Sequence, residues 1–478
     1  MKKTAFFLFI ANLFFAQISY GKTLFKKDDL SLNLSGNANI FLAKTNQQSS
    51  FENSYLADEI TQNYLNKNIY LAGDSQIFLE AKKQEENFNY GAIFKGETNI
   101  NNSRFNQKPT LDQAHLFLEN DNFGKLEFGN YFAVNQKMKA GPARFARGAG
   151  GINGKYLELV NLPMLTSSSN VNSPICQGNS LSANCANVKL PNFILLAQSP
   201  IAHGGFGKGF NSNLQGNNKN YFNRSNFRNI KDSGFEGFED STKINYYMPR
   251  IGGLQFGASY SYDNNNQGIT QNTARDLNEI YLKNIISVGV NYLHYFNNLT
   301  LTISATAEKG EAENSKHKQA LNDLLSYDFG FSLSYFGFEL GASYGWWGKS
   351  LQPKTGIYSC NYNVNQNLQN QNCQNSVNNF SNPYYYTIGL AYKIGGFGTS
   401  LTSINSNFQN NKYEAISLGF DYKLKRHLIS YFEITKFAFQ SNQALALDIA
   451  NQNAVNNAQR QIRDNQGYVF LSGILFNF

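Results

Sequence analysis

Apolar and polar residues alternate with a period of two along most of this chain, a pattern typical of β-strands. The alternation is most regular from Leu325 to Tyr335, where one face carries only Leu, Tyr and Phe and the other only Ser, Asp and Gly. The last stretch, Gly467–Phe478, has one face that is almost wholly apolar or aromatic. Such strands suit a sheet with an apolar environment on one side.

Counted by this alternation and by the turn residues between runs, the chain contains sixteen strands. Regular alternation largely stops between the fifth and the sixth strand, over residues 133–240. The strands are predicted at Leu30–Ala43, Lys67–Lys82, Asn87–Asn101, Leu111–Glu119, Lys125–Phe132, Ser241–Met248, Leu254–Tyr262, Glu279–Tyr295, Leu299–Glu308, Leu325–Tyr335, Phe338–Trp347, Tyr384–Ile394, Phe397–Ser406, Tyr413–Leu424, Leu428–Phe439 and Gly467–Phe478.

The connections after the even-numbered strands are short, and most of the others are long. Short turns at one rim and long loops at the other are typical of an outer-membrane barrel. An even strand number puts both chain ends on one side, so the first strand can pair with the last. The sequence therefore predicts an all-β fold, a 16-stranded antiparallel transmembrane β-barrel with a wet, polar interior that is wide enough for an aqueous channel.

The chain stops at Phe478 without a polar tail, so the terminal strand needs a partner for its open edge. The first strand is the economical partner, since pairing with it closes the barrel. The alternative is an apolar tail that docks into the core of a soluble protein.

The composition agrees with a membrane barrel. The chain has 28 Tyr and 40 Phe, and aromatic residues form girdles at both membrane interfaces of such barrels. The mean hydropathy is negative, but only alternate residues of a barrel face lipid, so this value does not argue for a soluble protein. The formal net charge of +8 is too mild to indicate a nucleic-acid partner.

Residues 1–21 have the pattern of a secretory signal peptide: a short basic start, an apolar stretch at Thr4–Ala16, and small residues at Ser19 and Gly21. The apolar stretch is too short to span a membrane. Cleavage after Gly21 leaves residues 22–478 as the barrel domain. The signal peptide contains two Lys and no acid, so the mature net charge is 8 − 2 = +6.

The four cysteines form two close pairs, Cys176 with Cys185 and Cys360 with Cys373, each inside a long polar loop. Export to an oxidising compartment favours a disulfide within each pair. A metal site is the alternative, although no His lies near either pair.

Three stretches resemble the Gram-negative general diffusion porins, which are trimeric 16-stranded outer-membrane porins. Phe117–Asn130 resembles the strand–turn–strand before the constriction loop of that family, and Ser241–Tyr262 resembles the hairpin after it. Tyr422–Tyr431 resembles a late hairpin, although the usual Ser is missing and His427 stands where Thr is usual. The terminal strand also resembles those of outer-membrane barrels, whose final Phe is read by the insertion machinery.

The resemblance implies that the loop after strand 5 folds into the barrel and narrows the pore. This loop, residues 133–240, is far longer than usual, so we expect one part to line the lumen and another to cap the mouth. Its first portion is basic, and fixed positive charge in a narrow constriction attracts anions. The candidate constriction residues are the cations Arg144, Arg147, Lys137 and Lys139 and the opposing carboxylates Glu119 and Glu127. The alternative is that the cations coat an external loop or bind lipopolysaccharide phosphates.

The five His are scattered, and no Ser/His/Asp or paired-acid set is visible, so the sequence predicts no enzyme and no catalytic residue. The predicted function is an outer-membrane porin whose channel passes ions and small hydrophilic solutes passively, with a slight anion bias and without cofactor or metal. The resemblance implies a homotrimer in contact with membrane lipid and lipopolysaccharide. The alternatives are a substrate-selective porin for phosphate, organic acids or sugars, a barrel enzyme of the outer membrane, and a surface adhesin or receptor whose loops bind host or phage.

Overall fold

The computed structural model describes residues 21–48, 69–99, 110–160, 193–200, 241–263, 281–313, 322–350, 358–360, 373–375, 381–408, 411–440 and 464–478. Sixteen strands form one closed antiparallel barrel, which confirms the predicted fold. They are β1 Leu30–Asn46, β2 Ile69–Glu85, β3 Phe88–Asn99, β4 Thr110–Asn120, β5 Gly124–Asn130, β6 Thr242–Tyr247, β7 Leu254–Asp263, β8 Tyr281–Phe296, β9 Leu299–Glu313, β10 Leu324–Tyr335, β11 Phe338–Trp346, β12 Tyr384–Ile394, β13 Phe397–Phe408, β14 Asn411–Lys425, β15 Leu428–Gln440 and β16 Asp464–Asn477.

The barrel closes where β16 pairs with β1. The register runs from Tyr468 opposite Asn46 to Asn477 opposite Asn37. Beyond it, the Phe478 amide donates to the Gly36 carbonyl oxygen at 2.9 Å, and the Phe478 carbonyl oxygen accepts from the Gly36 amide at 2.8 Å. Since β15 occupies the other edge of β16, the terminal strand is paired on both sides, as a closed sheet requires.

A short strand, Lys22–Lys27, precedes the barrel and pairs with residues 30–34 of β1. The pairing of β16 with β1 ends at Asn37, so the edge of β1 before Asn37 is open, and the short strand pairs there. The alternation pattern does not predict this strand, because three of its six residues are Lys.

Aromatic side chains ring the outer surface at two levels. Near the short turns, the rings of Phe338 and Tyr392 lie 4.3 Å apart. Near the long loops, the rings of Tyr327 and Trp346 stack at 5.6 Å. Tyr335, at the short-turn end of β10, and Tyr327 are 335 − 327 = 8 residues apart, which at about 3.4 Å per residue and a tilt of about 40° is roughly 20 Å of height. Two girdles that flank an apolar band are characteristic of a membrane barrel.

The short connections need residues that accept left-handed backbone. The turn between β10 and β11 is Phe336-Gly337, with φ of 46° and 85°, which fits the twist of a two-residue hairpin. A Cβ added to Gly337 would lie 2.2 Å from the carbonyl oxygen of Lys393. Gly337 is therefore required by both its φ and its neighbour.

Of the inserted loop 133–240, the structure describes residues 133–160 and 193–200. We call residues 131–160 the inner segment. It contains one helical turn, α1 (Val134–Lys137), and 3-10 turns at Pro142–Arg144, Gly151–Asn153 and Lys155–Glu158. No described helix is long and apolar enough to cross a membrane. Residues 1–20, which include most of the predicted signal peptide, lie outside the described residues.

The barrel interior is not uniformly polar, so the prediction of a wet interior is wrong for one sector. Inward side chains of β1 and β13–β16 form a buried apolar core with residues of the inner segment. The fully buried members from the wall include Phe41, Tyr413, Phe437 and Phe439. A strand with lipid on one face and a packed loop on the other is apolar on both faces, so alternation alone does not distinguish the two environments.

Candidate functional site

The inner segment lies against the inner wall of the barrel and hydrogen-bonds to it through its backbone. Irregular backbone needs partners for its amides once water is excluded. The wall supplies these partners as side-chain oxygens from β7, β9, β13 and β15. The bonds are Val134 N to Ser259 Oγ at 2.7 Å, Ala140 N to Ser304 Oγ at 2.8 Å, Ile152 N to Thr402 Oγ1 at 3.3 Å and Gly151 N to Glu433 Oε2 at 3.0 Å.

Apolar side chains anchor the second half of the inner segment. Ile152 and Tyr156 are fully buried in the apolar core described above. The Tyr156 hydroxyl donates to the Ile152 carbonyl oxygen at 3.1 Å and also contacts the Tyr413 hydroxyl on β14. The phenol group is therefore satisfied inside the core, as a buried Tyr requires.

Ion pairs complete the attachment of the inner segment. Four of its cations each contact a carboxylate on a different strand of the wall, so the contacts spread from β2 to β14. The pairs are Lys137 with Glu127 at 2.7 Å, Lys139 with Asp328 at 2.8 Å, Arg147 with Asp421, and Lys155 with Asp74.

Lys137 lies between a carboxylate and an aromatic ring. Its Nζ contacts both carboxylate oxygens of Glu127, at 2.7 and 2.8 Å, and lies 3.7 Å from the centre of the Tyr131 ring. Burial lowers the pKa of Lys137 to about 8, although the Glu127 carboxylate opposes the shift. Lys137 therefore changes its charge in a pH range that a channel recording can cover.

Arg144 differs from the other cations of the inner segment. Its side chain is exposed although the segment lies within the barrel. Among the described residues, the ion pairs of the segment involve Lys137, Lys139, Arg147 and Lys155 but not Arg144. Arg144 therefore presents an uncompensated guanidinium group to the interior of the barrel.

The wall formed by β1–β3 is polar and only partly covered. Inward-facing residues there hydrogen-bond across strands, with Asn33 donating to Glu80 at 3.1 Å and Asn37 donating to Gln76 at 3.3 Å. Gln76 in turn contacts Glu97 on β3. These side chains are half-buried rather than buried, so the described residues leave this sector of the wall partly open to water.

A comparison with protein families gives a match that is consistent with this architecture. A family model described as Gram-negative porin matches residues 4–442, most of the chain. The chain belongs to the Gram-negative porin family. Proteins of this family are channels.

This porin has relatives of low sequence identity in rickettsiae. It is 24% identical to an uncharacterised protein of Rickettsia conorii over 370 residues, which is 68% of this chain and 69% of the relative. It is 25% identical to an uncharacterised protein of Rickettsia bellii over 376 residues, 70% and 71% of the two chains.

Solved porin structures also resemble it. An anion-selective porin from Comamonas acidovorans is 13% identical, with a TM-score of 0.48 and coverage of 94% of this chain and 100% of that chain. A mutant of Rh. blastica porin is 10% identical, with a TM-score of 0.44 and the same coverage.

The structure separates the two predicted carboxylates of this porin. Glu127 contacts Lys137 and, at 3.0 Å, Lys125. Glu119 lies one residue before the end of β4, at the short-turn rim, opposite Lys125 in the register. Glu127 therefore belongs with the cations of the inner segment, whereas Glu119 lies away from them.

The cysteines are described only in part. Cys360 and Cys373 are register partners in a short hairpin formed by Tyr358–Cys360 and Cys373–Asn375. Residues directly opposite each other in antiparallel strands lie at a spacing that suits a disulfide. Cys176 and Cys185 lie outside the described residues.

Sequence reasoning did not single out the wall carboxylates that hold the inner segment. Each is a lone acid at an inward position in a strand, and a buried acid is costly unless it has a partner. This cost implies that each acid has a partner, but the partner can be identified only from the folded position of the loop. These acids are Asp74, Glu308, Asp328, Asp421 and Glu433.

Proposed function

We propose that this porin forms a water-filled channel across the outer membrane for passive diffusion of ions and small hydrophilic solutes, with a slight preference for anions. Arg144 is an exposed cation that forms no ion pair with any described residue, whereas the other cations of the inner segment are paired. This observation carries the charge preference. The concentration gradient drives the flux, so the mechanism needs no cofactor.

The physical basis is the electrostatics of a narrow passage. A fixed charge beside low-dielectric walls raises the local concentration of counter-ions and repels ions of like sign. Glu80 and Glu97 on the open wall act in the opposite sense, but Glu97 is itself paired with Lys95. The remaining imbalance is small, so the expected preference is slight.

The test is conductance of the purified, refolded protein in planar lipid bilayers. We expect stepwise, ohmic currents and a zero-current potential in a salt gradient that indicates anion preference. Arg144→Ala, alone and with Arg147→Ala, is expected to move that potential toward cation preference. Lys412→Ala is the matched control, because Lys412 is an exposed cation on the outer face of β14. A sealed barrel contradicts the channel, and an unchanged potential in the double variant contradicts the charge assignment.

The same proposal includes the assembly and maturation of the protein. The porin is exported with cleavage of residues 1–21 and contacts outer-membrane lipid and lipopolysaccharide. It assembles as a homotrimer, for which the family resemblance is the support. Disulfides join Cys176 to Cys185 and Cys360 to Cys373, and the opposed register of Cys360 and Cys373 supports the second of them.

A further inference from the structure

A side cavity of about 140 Å³ lies between the inner segment and the wall of β9–β11. Ala197, Gln198 and Ser199 line a third side of it. Its lining includes two acids and two cations, which are Glu308, Asp328, Lys139 and Arg144. A cavity of this volume is large enough for a small solute and has enough polar groups to bind one.

Side chains around this cavity have more hydrogen-bonding capacity than the protein uses. Fourteen buried side-chain polar atoms of the described residues lack a hydrogen-bond partner, and six of them belong to residues that line the cavity. Five of the six are oxygens that can only accept and one is an amide nitrogen. They are Asn135 Oδ1, Asn153 Oδ1, Gln198 Oε1, Glu308 Oε2, Asp328 Oδ1 and Gln136 Nε2. A ligand that is rich in hydrogen-bond donors can satisfy this cluster of acceptors.

The charges of the lining divide into one pair and two single groups. Lys139 and Asp328 neutralise each other at 2.8 Å. Glu308 is 2% exposed, and its Oε1 accepts from Asn135 Nδ2 and Ser287 Oγ, both at 3.0 Å, but no cation pairs with it among the described residues. Arg144, which also lines the cavity, likewise forms no ion pair among the described residues. The cavity is therefore lined by one acid, Glu308, and one cation, Arg144, that form no ion pair with the described residues.

We infer that this cavity binds a small zwitterion with a primary ammonium and a carboxylate group. The ammonium group supplies three donors for the Glu308 carboxylate and the amide oxygens near it, and the carboxylate accepts from the Arg144 guanidinium. One such solute compensates both single charges at once, which neither a neutral polyol nor a lone ion does. The inference deepens the proposed channel function, on which it rests for entry of the solute from the lumen.

The cavity contains its own spectroscopic reporter. Trp347 lines it, is 1% exposed, and donates from Nε1 to the Gln198 carbonyl oxygen at 2.9 Å. The other Trp of the chain, Trp346, stacks on Tyr327 at the outer surface. In a Trp346→Phe background, fluorescence therefore reports Trp347 alone, and equilibrium binding is measured without any current through the channel.

The experiment titrates that variant with glycine, β-alanine and 4-aminobutyrate, which differ in the spacing of their two charges. Acetate, methylammonium, glycerol and glycine betaine are the controls for a single charge, for neutral hydroxyl donors and for a zwitterion without N–H donors. We expect a saturable fluorescence change with at least one of the three amino acids and none with the controls. Glu308→Gln and Arg144→Gln are each expected to weaken binding about tenfold or more, since each removes a charge-assisted hydrogen bond. Glu339→Gln is the matched control, because Glu339 lies on β11 but pairs with Lys393 at the rim.

Two outcomes overturn the inference: no response to any of the three zwitterions in a correctly folded protein, or an equal response to a control solute. Binding that is unchanged in both Glu308→Gln and Arg144→Gln overturns it as well. Conductance recorded from the same preparation separates the two proposals. Stepwise currents without binding leave the channel standing and refute the site, whereas binding to a barrel without currents refutes the channel and leaves the site.

Discussion

Ile152→Ala tests whether the apolar core inside the barrel holds the inner segment in place. Ile152 is 0% exposed and belongs to the core between the segment and β13–β16. The substitution removes three carbon atoms, worth about 0.8 kcal/mol each, and leaves a cavity, so we expect a loss of about 3 kcal/mol. That loss acts on docking of the segment and raises the undocked fraction about 100-fold. The strand ladder of the barrel contains none of the deleted contacts and is expected to persist.

Limited trypsin digestion of the refolded protein measures the effect, because the wall-paired cations Lys137, Lys139, Arg147 and Lys155 become cleavable only when the segment leaves the wall. Fragments are assigned by mass spectrometry, and the heat-dependent shift of the folded barrel on a gel reports the barrel itself. Ile40→Ala is the matched control, since Ile40 lies on β1 but is 50% exposed on the outer face. Equal cleavage within the segment of both variants, or loss of the barrel in Ile152→Ala, refutes the reasoning.

Three further predictions concern charge, turns and cysteines. Lysine is mostly cationic below its pKa and mostly neutral above it, and burial lowers the pKa of Lys137 to about 8. Raising the pH from 7 to 9 therefore removes most of the charge of Lys137 and moves the zero-current potential toward cation preference. Lys137→Met is expected to abolish most of that pH step. Gly337→Val is expected to lower the refolding yield more than Gly395→Val. Both positions have positive φ, but an added Cβ lies 2.2 Å from the Lys393 carbonyl oxygen only at Gly337. Equal yields contradict the steric argument. Cys360→Ser is expected to leave a free thiol at Cys373 that reacts with maleimide, whereas the wild-type protein stays unlabelled. Labelling of Cys373 in the wild-type protein excludes the Cys360–Cys373 disulfide.

The barrel could be predicted from the sequence because its signals are local. Alternation in β10 and β12 fixes which side chains face lipid, and the two-residue turns fix which strands are neighbours, so Tyr384–Ile394 is found with its observed bounds. The lysine-rich strand Lys22–Lys27 is missed because it lacks the alternation. Its pairing depends on where β16 ends, which is information from the other end of the chain.

The candidate site could be predicted only by residue type. The basic character of residues 137–155 is visible in the sequence, but the partner of each cation is not. Lys139 and Asp328 are 189 positions apart (328 − 139) and meet at 2.8 Å only because the barrel brings β10 to the inner segment. Arg144 and Arg147 look alike in the sequence, yet one is exposed and the other pairs with Asp421. Contacts between residues far apart in the sequence therefore decide which cation forms an ion pair and which can interact with a solute.

Because an apolar core fills one side of the interior, the open cross-section of this porin is not determined by its strand number alone. The hydrogen-bonded wall sets the circumference, whereas side chains such as Ile152, Tyr156 and Phe439 set how much of the enclosed area is filled. Substitutions that thicken or thin this filling can change the rate of passage without altering a single strand register. Two barrels with the same number of strands can thus differ in the rate at which solutes pass. Mutations in the filling can change that rate while the pairing between β1 and β16 stays the same.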